Sequence, residues 1–290
     1  MFIDTHCHLF PEFNFVTKIP EQIVEESLSI GVKEMWLAST EKADILWNLE
    51  FCKKYPKNLK TWVGWHPEKY LSYDNNFLSS LLEINNTVQN PKSKFLMTNE
   101  NTNTKYQILD TTIVGIGEIG LDFAAHPKST KDVQVKVFES QLKIAEQFNL
   151  PVSIHCRDAF EETINVMANY PNIKYLWHCF NLSSEKTKVL FNLFKNIYIG
   201  LNAIFTYKSG EYIKESLKFV PIHRILIETD APFLAPRPFK YSHNTPEGVI
   251  AVYKAVSNFF SVDLSNLQSI ILDNSLRLCQ NSKLKNQSQI

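Results

Sequence analysis

The chain has 290 residues, of which 44% are apolar and 12% aromatic, so it can bury one large core. Its 30 basic and 30 acidic residues cancel, which excludes a protein drawn to nucleic acid or to anionic membranes by overall charge. No stretch reaches the roughly 18 consecutive apolar residues of a membrane span. The five cysteines are odd in number and lack CxxC spacing, so we expect free thiols and a cytoplasmic protein.

Eight short runs rich in β-branched and aromatic residues predict eight strands. They cover residues 2–6, 34–39, 60–66, 113–118, 151–155, 173–178, 196–201 and 224–230. Helix-period segments separate most of them, and the segment 131–149 carries an apolar stripe formed by Phe138, Leu142, Ala145 and Phe148. Alternating strands and helices predict parallel strands with right-handed crossovers. Eight such units predict a single-domain (β/α)8 TIM barrel over residues 1–290.

One interval between predicted strands is longer than the rest. The spacing is close to the roughly 30 residues of a barrel unit except after the third strand. The excess lies at about residues 85–110, in a tract rich in Asn, Thr and Lys with little apolar periodicity. Such a tract is typical of a surface loop or a partly disordered insertion. We therefore predict a surface-loop insertion there.

Side chains of metal-ligand type stand at the carboxyl ends of five of the eight predicted strands. His6 and His8 share one face of the first strand, because strand side chains alternate. The other positions are Glu118, His155, His178 and Asp230. Strand ends converge in a barrel, and four imidazoles with two carboxylates can hold two divalent metal ions that share a bridging carboxylate.

The same segments resemble a known family. They are residues 3–9 (IDTHCHL), 64–67 (GWHP), 117–122 (GEIGLD), 154–159 (IHCRDA), 178–180 (HCF) and 228–234 (ETDAPFL). In order and at compatible spacing, they resemble the successive signatures of TatD-type metal-dependent deoxyribonucleases, which belong to the amidohydrolase-like barrels. The resemblance extends from Met1 to about Cys279. It implies a metal-dependent phosphodiesterase that trims DNA, as an exonuclease on single-stranded ends.

The resemblance also implies a role for each ligand. One ion is held by His6, His8 and Asp230, the other by His155 and His178, and Glu118 bridges both. Two ions can lower the pKa of a bound water and hold the scissile phosphate, and Asp230 would then accept the proton of that water. Imidazole-rich ligation favours Zn, Mn or Fe, whereas phosphodiester chemistry and the resemblance favour Mg or Mn.

Arg157 is the first candidate for substrate binding. It lies two residues beyond His155 and therefore on the same face if the strand continues. A guanidinium in that position could clamp a substrate phosphate. A salt bridge to Asp158 or Glu161 accounts for it equally well.

Three more residues are candidates for substrate binding. The resemblance implies substrate contact or support of the site for His66 and Asp122, although His66 could simply cap a loop and Asp122 a helix. His243 stands where the family has arginine. With Arg237 and Lys240 it could supply the missing positive charge, or all three could belong to a solvated loop.

Two acidic residues share strand parity with predicted ligands two positions away. Asp4 precedes His6 and Glu228 precedes Asp230, so both carboxylates should point into the barrel beneath the metal ions. We expect them to orient a ligand histidine or to form a pair in the barrel core, rather than to bind metal directly.

Other functions are compatible with the same ligands. Metal-activated water can attack an amide, a lactone or a phosphoester, so a small-molecule hydrolase of the same barrel superfamily is the main alternative to a nuclease. A scaffold that keeps the barrel without chemistry is disfavoured by the complete ligand set. The expected partner is single-stranded DNA, and the neutral charge disfavours broad duplex binding. A monomer is plausible.

Overall fold

A computed structural model describes residues 1–13, 18–88, 94–99, 104–109, 112–125, 130–237 and 243–280. Eight of its strands pair with one another in parallel within one sheet. Strands and helices are numbered in chain order. The eight parallel strands are β1 (Phe2–Cys7), β2 (Val32–Leu37), β3 (Leu59–Val63), β6 (Ile113–Asp122), β7 (Val152–Arg157), β8 (Tyr175–Trp177), β9 (Ile197–Leu201) and β10 (Ile225–Ile227). Two others are β4 (Lys94–Asn99) and β5 (Thr104–Leu109).

Helices follow most of the barrel strands. They are α1 (Pro20–Ser29), α2 (Lys42–Cys52), α3 (Asn75–Val88), α4 (Lys131–Phe148), α5 (Phe160–Met167), α6 (Ser184–Leu193), α7 (Glu211–Leu217), α8 (Val249–Phe260) and α9 (Leu264–Cys279). The apolar stripe predicted for residues 131–149 lies on α4, where Phe138, Leu142 and Ala145 are buried. Within the part of the chain that the structure describes, no helix has the length and apolar content to cross a lipid bilayer.

The eight parallel strands form one sheet that closes on itself. Their order is β1-β2-β3-β6-β7-β8-β9-β10. The segment after β10 returns to β1, where the N–H of Asp230 donates to the carbonyl of His6 over 2.9 Å. The N–H of His8 donates in turn to the carbonyl of Ala231 over 2.7 Å. The fold is therefore a TIM barrel, which confirms the prediction from strand and helix alternation.

Close packing in the barrel wall explains why β6 is rich in glycine. All ten residues of β6 are buried, as expected for a strand covered on both faces. A Cβ atom on Gly115 would lie 2.3 Å from the carbonyl oxygen of Pro151, which immediately precedes β7. Only glycine allows the strand to approach its neighbour this closely.

The predicted insertion contains regular structure. Strands β4 and β5 pair antiparallel, from Lys94 opposite Leu109 to Asn99 opposite Thr104, in a sheet separate from the barrel. The sequence predicts a surface-loop insertion here and does not reveal the two strands, because Asn, Thr and Lys residues hide the apolar alternation that marks a strand. Residues 89–93, 100–103 and 110–111 of the same tract lie outside the described part of the chain.

Candidate metal centre

Glu118 stands at the centre of the predicted ligands, at the carboxyl end of the barrel. Its Oε2 lies 3.3 Å from Nε2 of His6 and 3.7 Å from Nε2 of His8. Its Oε1 lies 2.6 Å from Nδ1 of His155 and 3.6 Å from Nε2 of His178. One carboxylate thus faces all four predicted histidines, which is the arrangement that a bridging ligand requires.

Asp230 is the second carboxylate of the cluster and contacts three of the four histidines. Its Oδ1 lies 3.5 Å from Nε2 of His8, 3.7 Å from Nε2 of His178 and 3.8 Å from Nε2 of His6. Its backbone adopts a φ of 57°, a conformation that is uncommon outside glycine and that marks many functional sites. The hydrogen bond from its N–H to the carbonyl of His6 holds this conformation in place.

The donor atoms around His6 and His8 are spaced like ligands of a shared ion. Two ligands that lie about 2.1 Å from one ion and about 109° apart are roughly 3.4 Å from each other. The distances of 3.3–3.8 Å from His6 and His8 to the two carboxylates match this spacing. Three overlapping groups each have their ligand atoms within 4.8 Å of one another: His6, His8 and Glu118; His6, His178 and Asp230; and His66, Glu118 and His155. The residues therefore fit divalent metal ions.

Burial and charge set the protonation of the cluster. Burial opposes ionisation of Glu118, but the histidines around it, His178 first, outweigh burial and hold its pKa well below the ordinary value. Burial lowers the pKa of His155, but its contacts with Asp122 and Glu118 outweigh burial and raise the pKa to about 9. Burial likewise lowers the pKa of His178, and Glu228 with Glu118 raises it to about 10. A metal ion that binds here would displace protons from these histidines.

Two fully buried carboxylates lie beneath the cluster. Oε1 of Glu228 lies 2.9 Å from Nδ1 of His178. Asp4 accepts hydrogen bonds from the N–H of His6 over 3.3 Å and from the hydroxyl of Thr229 over 2.6 Å. These contacts agree with the prediction that Asp4 and Glu228 support ligand residues from inside the barrel.

His66 and Asp122 contact His155 from opposite sides of its ring. Nε2 of His66 lies 3.1 Å from Nδ1 of His155, and Oδ2 of Asp122 lies 3.0 Å from Nε2. Each also caps the turn that follows it: Nδ1 of His66 accepts from the N–H of Glu68, and Oδ1 of Asp122 accepts from the N–H of Ala124. Asp122 is only 1% exposed, so its contacts are those of a residue that orients His155.

Arg157 faces the cavity above the cluster. The cavity has a volume of about 610 Å³, and Arg157 and Lys69 contribute cations to its lining. Arg157 is exposed, and no carboxylate among the described residues forms an ion pair with it. Glu161, one of the two partners considered from the sequence, instead lies 3.7 Å from Lys186. The guanidinium of Arg157 is therefore available to a ligand in the cavity.

His243 is the remaining candidate for substrate binding. It is half-buried and is not among the described residues that line the cavity. The guanidinium of Arg237 lies 5.6 Å from the ring centroid of Tyr207, and Lys240 lies outside the described residues. The structure thus brings His66, Asp122 and Arg157 to the ligand cluster or its cavity, but not His243.

Aromatic rings stand beside one of the ligands. The ring centroids of Phe13 and Phe233 lie 5.2 and 6.2 Å from that of His8. Both residues line the cavity, and Phe233 is 42% exposed. The cavity therefore combines metal ligands, cations and an exposed aromatic face.

Sequence reasoning missed two buried glutamines of α4 that bear on the site. Gln134 and Gln141 are each 1% exposed, and their amides bind the backbone of Asp122 and Trp65, at the ends of neighbouring strands. The signal that could have found them is their position on the apolar stripe, four residues before and three after Phe138. A polar residue on the buried face of a helix needs a polar partner.

Comparison with known proteins identifies the family of this chain. A family model described as TatD related DNase matches residues 3–280. The uncharacterized metal-dependent hydrolase YabD of Bacillus subtilis (strain 168) is 28% identical over 280 residues, which cover 96% of this chain and 98% of YabD. The human 3′-5′ RNA nuclease TATDN2 is 38% identical over 126 residues, which cover 43% of this chain and 17% of TATDN2.

The fold also matches a solved structure. The crystal structure of YJJV, a TatD homologue from Escherichia coli K12, aligns with a TM-score of 0.79 at 22% identity, over 96% of this chain and 97% of YJJV. The six predicted ligand positions lie within the matched range, and the barrel brings their donor atoms together. The chain therefore belongs to the TatD related DNase family and is a metal-dependent hydrolase.

Proposed function

We propose that this protein is an exonuclease that hydrolyses phosphodiester bonds at single-stranded ends of DNA with two divalent metal ions. The observation that carries the proposal is Glu118, whose two oxygens face His6 and His8 on one side and His155 and His178 on the other. In this proposal Asp230 joins His6 and His8, and Glu118 bridges the ions. Bound there, two ions would activate a water molecule and neutralise charge on the scissile phosphate.

Asp230 is the residue proposed to accept the proton of the attacking water. Burial opposes its ionisation, but His178 and His8 outweigh burial and lower its pKa, so it is a carboxylate at neutral pH. Its side chain is 14% exposed, and it lines the cavity. A partly exposed carboxylate beside the ligand histidines is suited to general-base work.

Two features of the cavity support a nucleic-acid substrate. Arg157 has no carboxylate partner among the described residues and can form a bidentate contact with a phosphate. Phe13 and Phe233 lie beside His8 and offer rings on which unpaired bases can stack. Because the net charge is zero, recognition depends on these local contacts rather than on overall attraction to a duplex.

The test is a metal-dependence series on single-stranded DNA labelled at the 3′ or the 5′ end, with Mg, Mn or Zn added after chelation. We expect a ladder of single-nucleotide steps from one end that disappears with chelator. Glu118→Ala should abolish the ladder, and Asp230→Asn should slow it by about 100-fold or more while metal still binds. Glu161→Ala, which removes an exposed carboxylate of α5, is the matched control and should leave the rate unchanged.

RNA of the same sequence is the second substrate, because the human relative TATDN2 is an RNA nuclease. Faster cleavage of RNA than of DNA would support the proposed phosphodiesterase activity but overturn the proposed preference for DNA. Absence of any metal-dependent shortening of either polymer, together with metal-dependent hydrolysis of small esters or lactones, would overturn the nuclease and favour a small-molecule hydrolase.

A further inference from the structure

Two buried glutamines of α4 hold the backbone at the ends of neighbouring strands. Oε1 of Gln134 accepts from the N–H of Asp122 over 2.9 Å, and its Nε2 donates to the carbonyl of Asp122 over 3.0 Å. Gln141 binds Trp65 in the same way, over 2.8 and 3.1 Å. In each case one side-chain amide forms hydrogen bonds with both the N–H and the carbonyl of a single residue, as the backbone of a neighbouring strand would.

The position of these two residues in the sheet explains the need for an amide. Strands β3 and β6 pair only as far as Val63 opposite Ile116. Trp65 and Asp122 lie beyond that pair and are buried, so their backbone groups need another partner. Gln134 and Gln141 are seven residues apart, about two helical turns, and so share one face of α4. A single helix therefore fixes both strand ends.

Both strand ends lead to His155. Trp65 directly precedes His66, whose Nε2 lies 3.1 Å from Nδ1 of His155. Asp122 places Oδ2 at 3.0 Å from Nε2 of the same ring. Each nitrogen of His155 is thus contacted by a side chain whose own or preceding backbone is bound to α4.

We propose that Gln134 and Gln141 are positioning residues for the second metal ion. Gln134 fixes Asp122, which holds Nε2 of His155 so that Nδ1 faces Glu118. Gln141 fixes the backbone before His66, whose Nε2 lies in one group of possible ligand atoms with Glu118 and His155. This inference rests on the proposed function, in which His155 is a ligand of that ion. Removing the Gln134 amide loosens Asp122 at Nε2 of His155, and removing the Gln141 amide loosens His66 beside Nδ1. Changes behind a metal ligand typically weaken metal binding by about 10- to 100-fold.

The test follows zinc binding through the imidazole NMR signals of histidine-labelled protein, with no substrate present. In Gln134→Leu and Gln141→Leu, the zinc concentration that shifts the His155 signal should rise about tenfold or more. The concentration that shifts the His8 signal should not change, because that ligand lies outside the α4 contacts. Gln147→Leu, an exposed glutamine of the same helix, should leave both unchanged.

A second control separates positioning from general loss of stability. Ile271→Val removes a methylene from a fully buried residue of α9, away from the site, and should lower Tm without changing either zinc midpoint. Equal shifts of the His155 and His8 midpoints in the glutamine variants, or a shift in Ile271→Val as large as theirs, would overturn the inference.

The response of His155 to zinc in the unmodified protein shows whether the positioning role or the metal centre itself is wrong. If zinc moves His155 equally in all variants, the positioning role is wrong and the metal centre stands. If zinc does not move His155 in the unmodified protein, the metal centre of the proposed function is wrong and this inference fails with it. Should the leucine variants not fold, Gln134→Asn and Gln141→Asn keep an amide that is too short to reach both backbone groups, and the same shifts are expected.

Discussion

Gly200 leaves room for the carboxylate behind His178. A Cβ atom at this position would lie 2.1 Å from Oε2 of Glu228 and 2.6 Å from its Cδ. Glu228 is fully buried and cannot rotate into solvent. Glycine at position 200 is therefore a requirement of the contact between Glu228 and His178.

Gly200→Ala should weaken the metal centre without touching a ligand. The added methyl group displaces Glu228, and His178 loses the carboxylate 2.9 Å from its Nδ1. We expect metal affinity to fall by about tenfold or more and the free energy of unfolding to fall by about 1–3 kcal/mol from overpacking. Calorimetric titration with Mn and urea unfolding measure the two effects.

A double-mutant cycle identifies the route of this effect. If the alanine acts by displacing Glu228, then Gly200→Ala should cost little further metal affinity in a Glu228→Ala background. Fully additive losses would show that the alanine acts by another route.

The residue types at the strand ends indicated each proposed ligand from the sequence, whereas the residues that support them were harder to predict. A histidine at the end of a buried strand adds little to apolar packing, so its imidazole points to a ligand role, and alternation along a strand fixed the inward direction of Asp4 and Glu228. Gln134 carries no such signal, because glutamine is a common residue of exposed helix faces. Its role depends on where β3 stops pairing with β6, which periodicity does not reveal.

At the level of elements, periodicity predicted the eight barrel strands and α4 but not the β4–β5 hairpin. The barrel strands are buried on both faces and therefore read as apolar runs. The hairpin pairs only with itself, and its composition resembles a loop. Strand signals in sequence are strongest where a strand contributes to the core.

Replacing residues 89–111 with a flexible Gly/Ser linker should leave the barrel intact. The hairpin belongs to a sheet separate from the barrel, and the six proposed ligands lie outside the replaced segment. We expect Tm to change by only a few degrees, since each kcal/mol shifts Tm by about 2–4 °C at this chain length. Metal affinity should not change. A large loss of affinity would indicate that the insertion supports the site.

At the scale of the whole molecule, the cluster links stability to pH. The raised pKa values of His155 and His178, about 9 and 10, stabilise the metal-free fold fully below about pH 6.5, and this contribution is lost as pH rises through those values. The lowered pKa values of Glu118 and Asp230 stabilise it above about pH 4.5, and that contribution is lost as pH falls. Burial lowers the pKa of His66, to about 3, and that of His6, so both contribute stability above about pH 6.5 that is lost as pH falls. The metal-free protein should therefore be most stable at about pH 6.

Metal should therefore stabilise the protein more as pH rises. Each ion displaces protons from histidines whose pKa is raised, so its apparent affinity increases with pH up to about 9. Thermal unfolding from pH 5.5 to 8.5, in chelator and in a fixed excess of Mn, should give a difference in Tm that widens with pH. His155→Gln should flatten this trend. A constant difference across the range would contradict the raised pKa values.

The strands that close the barrel, β1 and β10, meet beside three of the proposed metal ligands, His6, His8 and Asp230. His6 and Asp230 share a backbone hydrogen bond at this junction, and the neighbouring contact between Asp4 and Thr229 joins residues 225 positions apart. A nascent chain emerging from the ribosome carries His6 and His8 long before it carries Asp230. Because the proposed ligand set includes Asp230, which follows β10, the full set can assemble only after nearly the whole barrel has been translated.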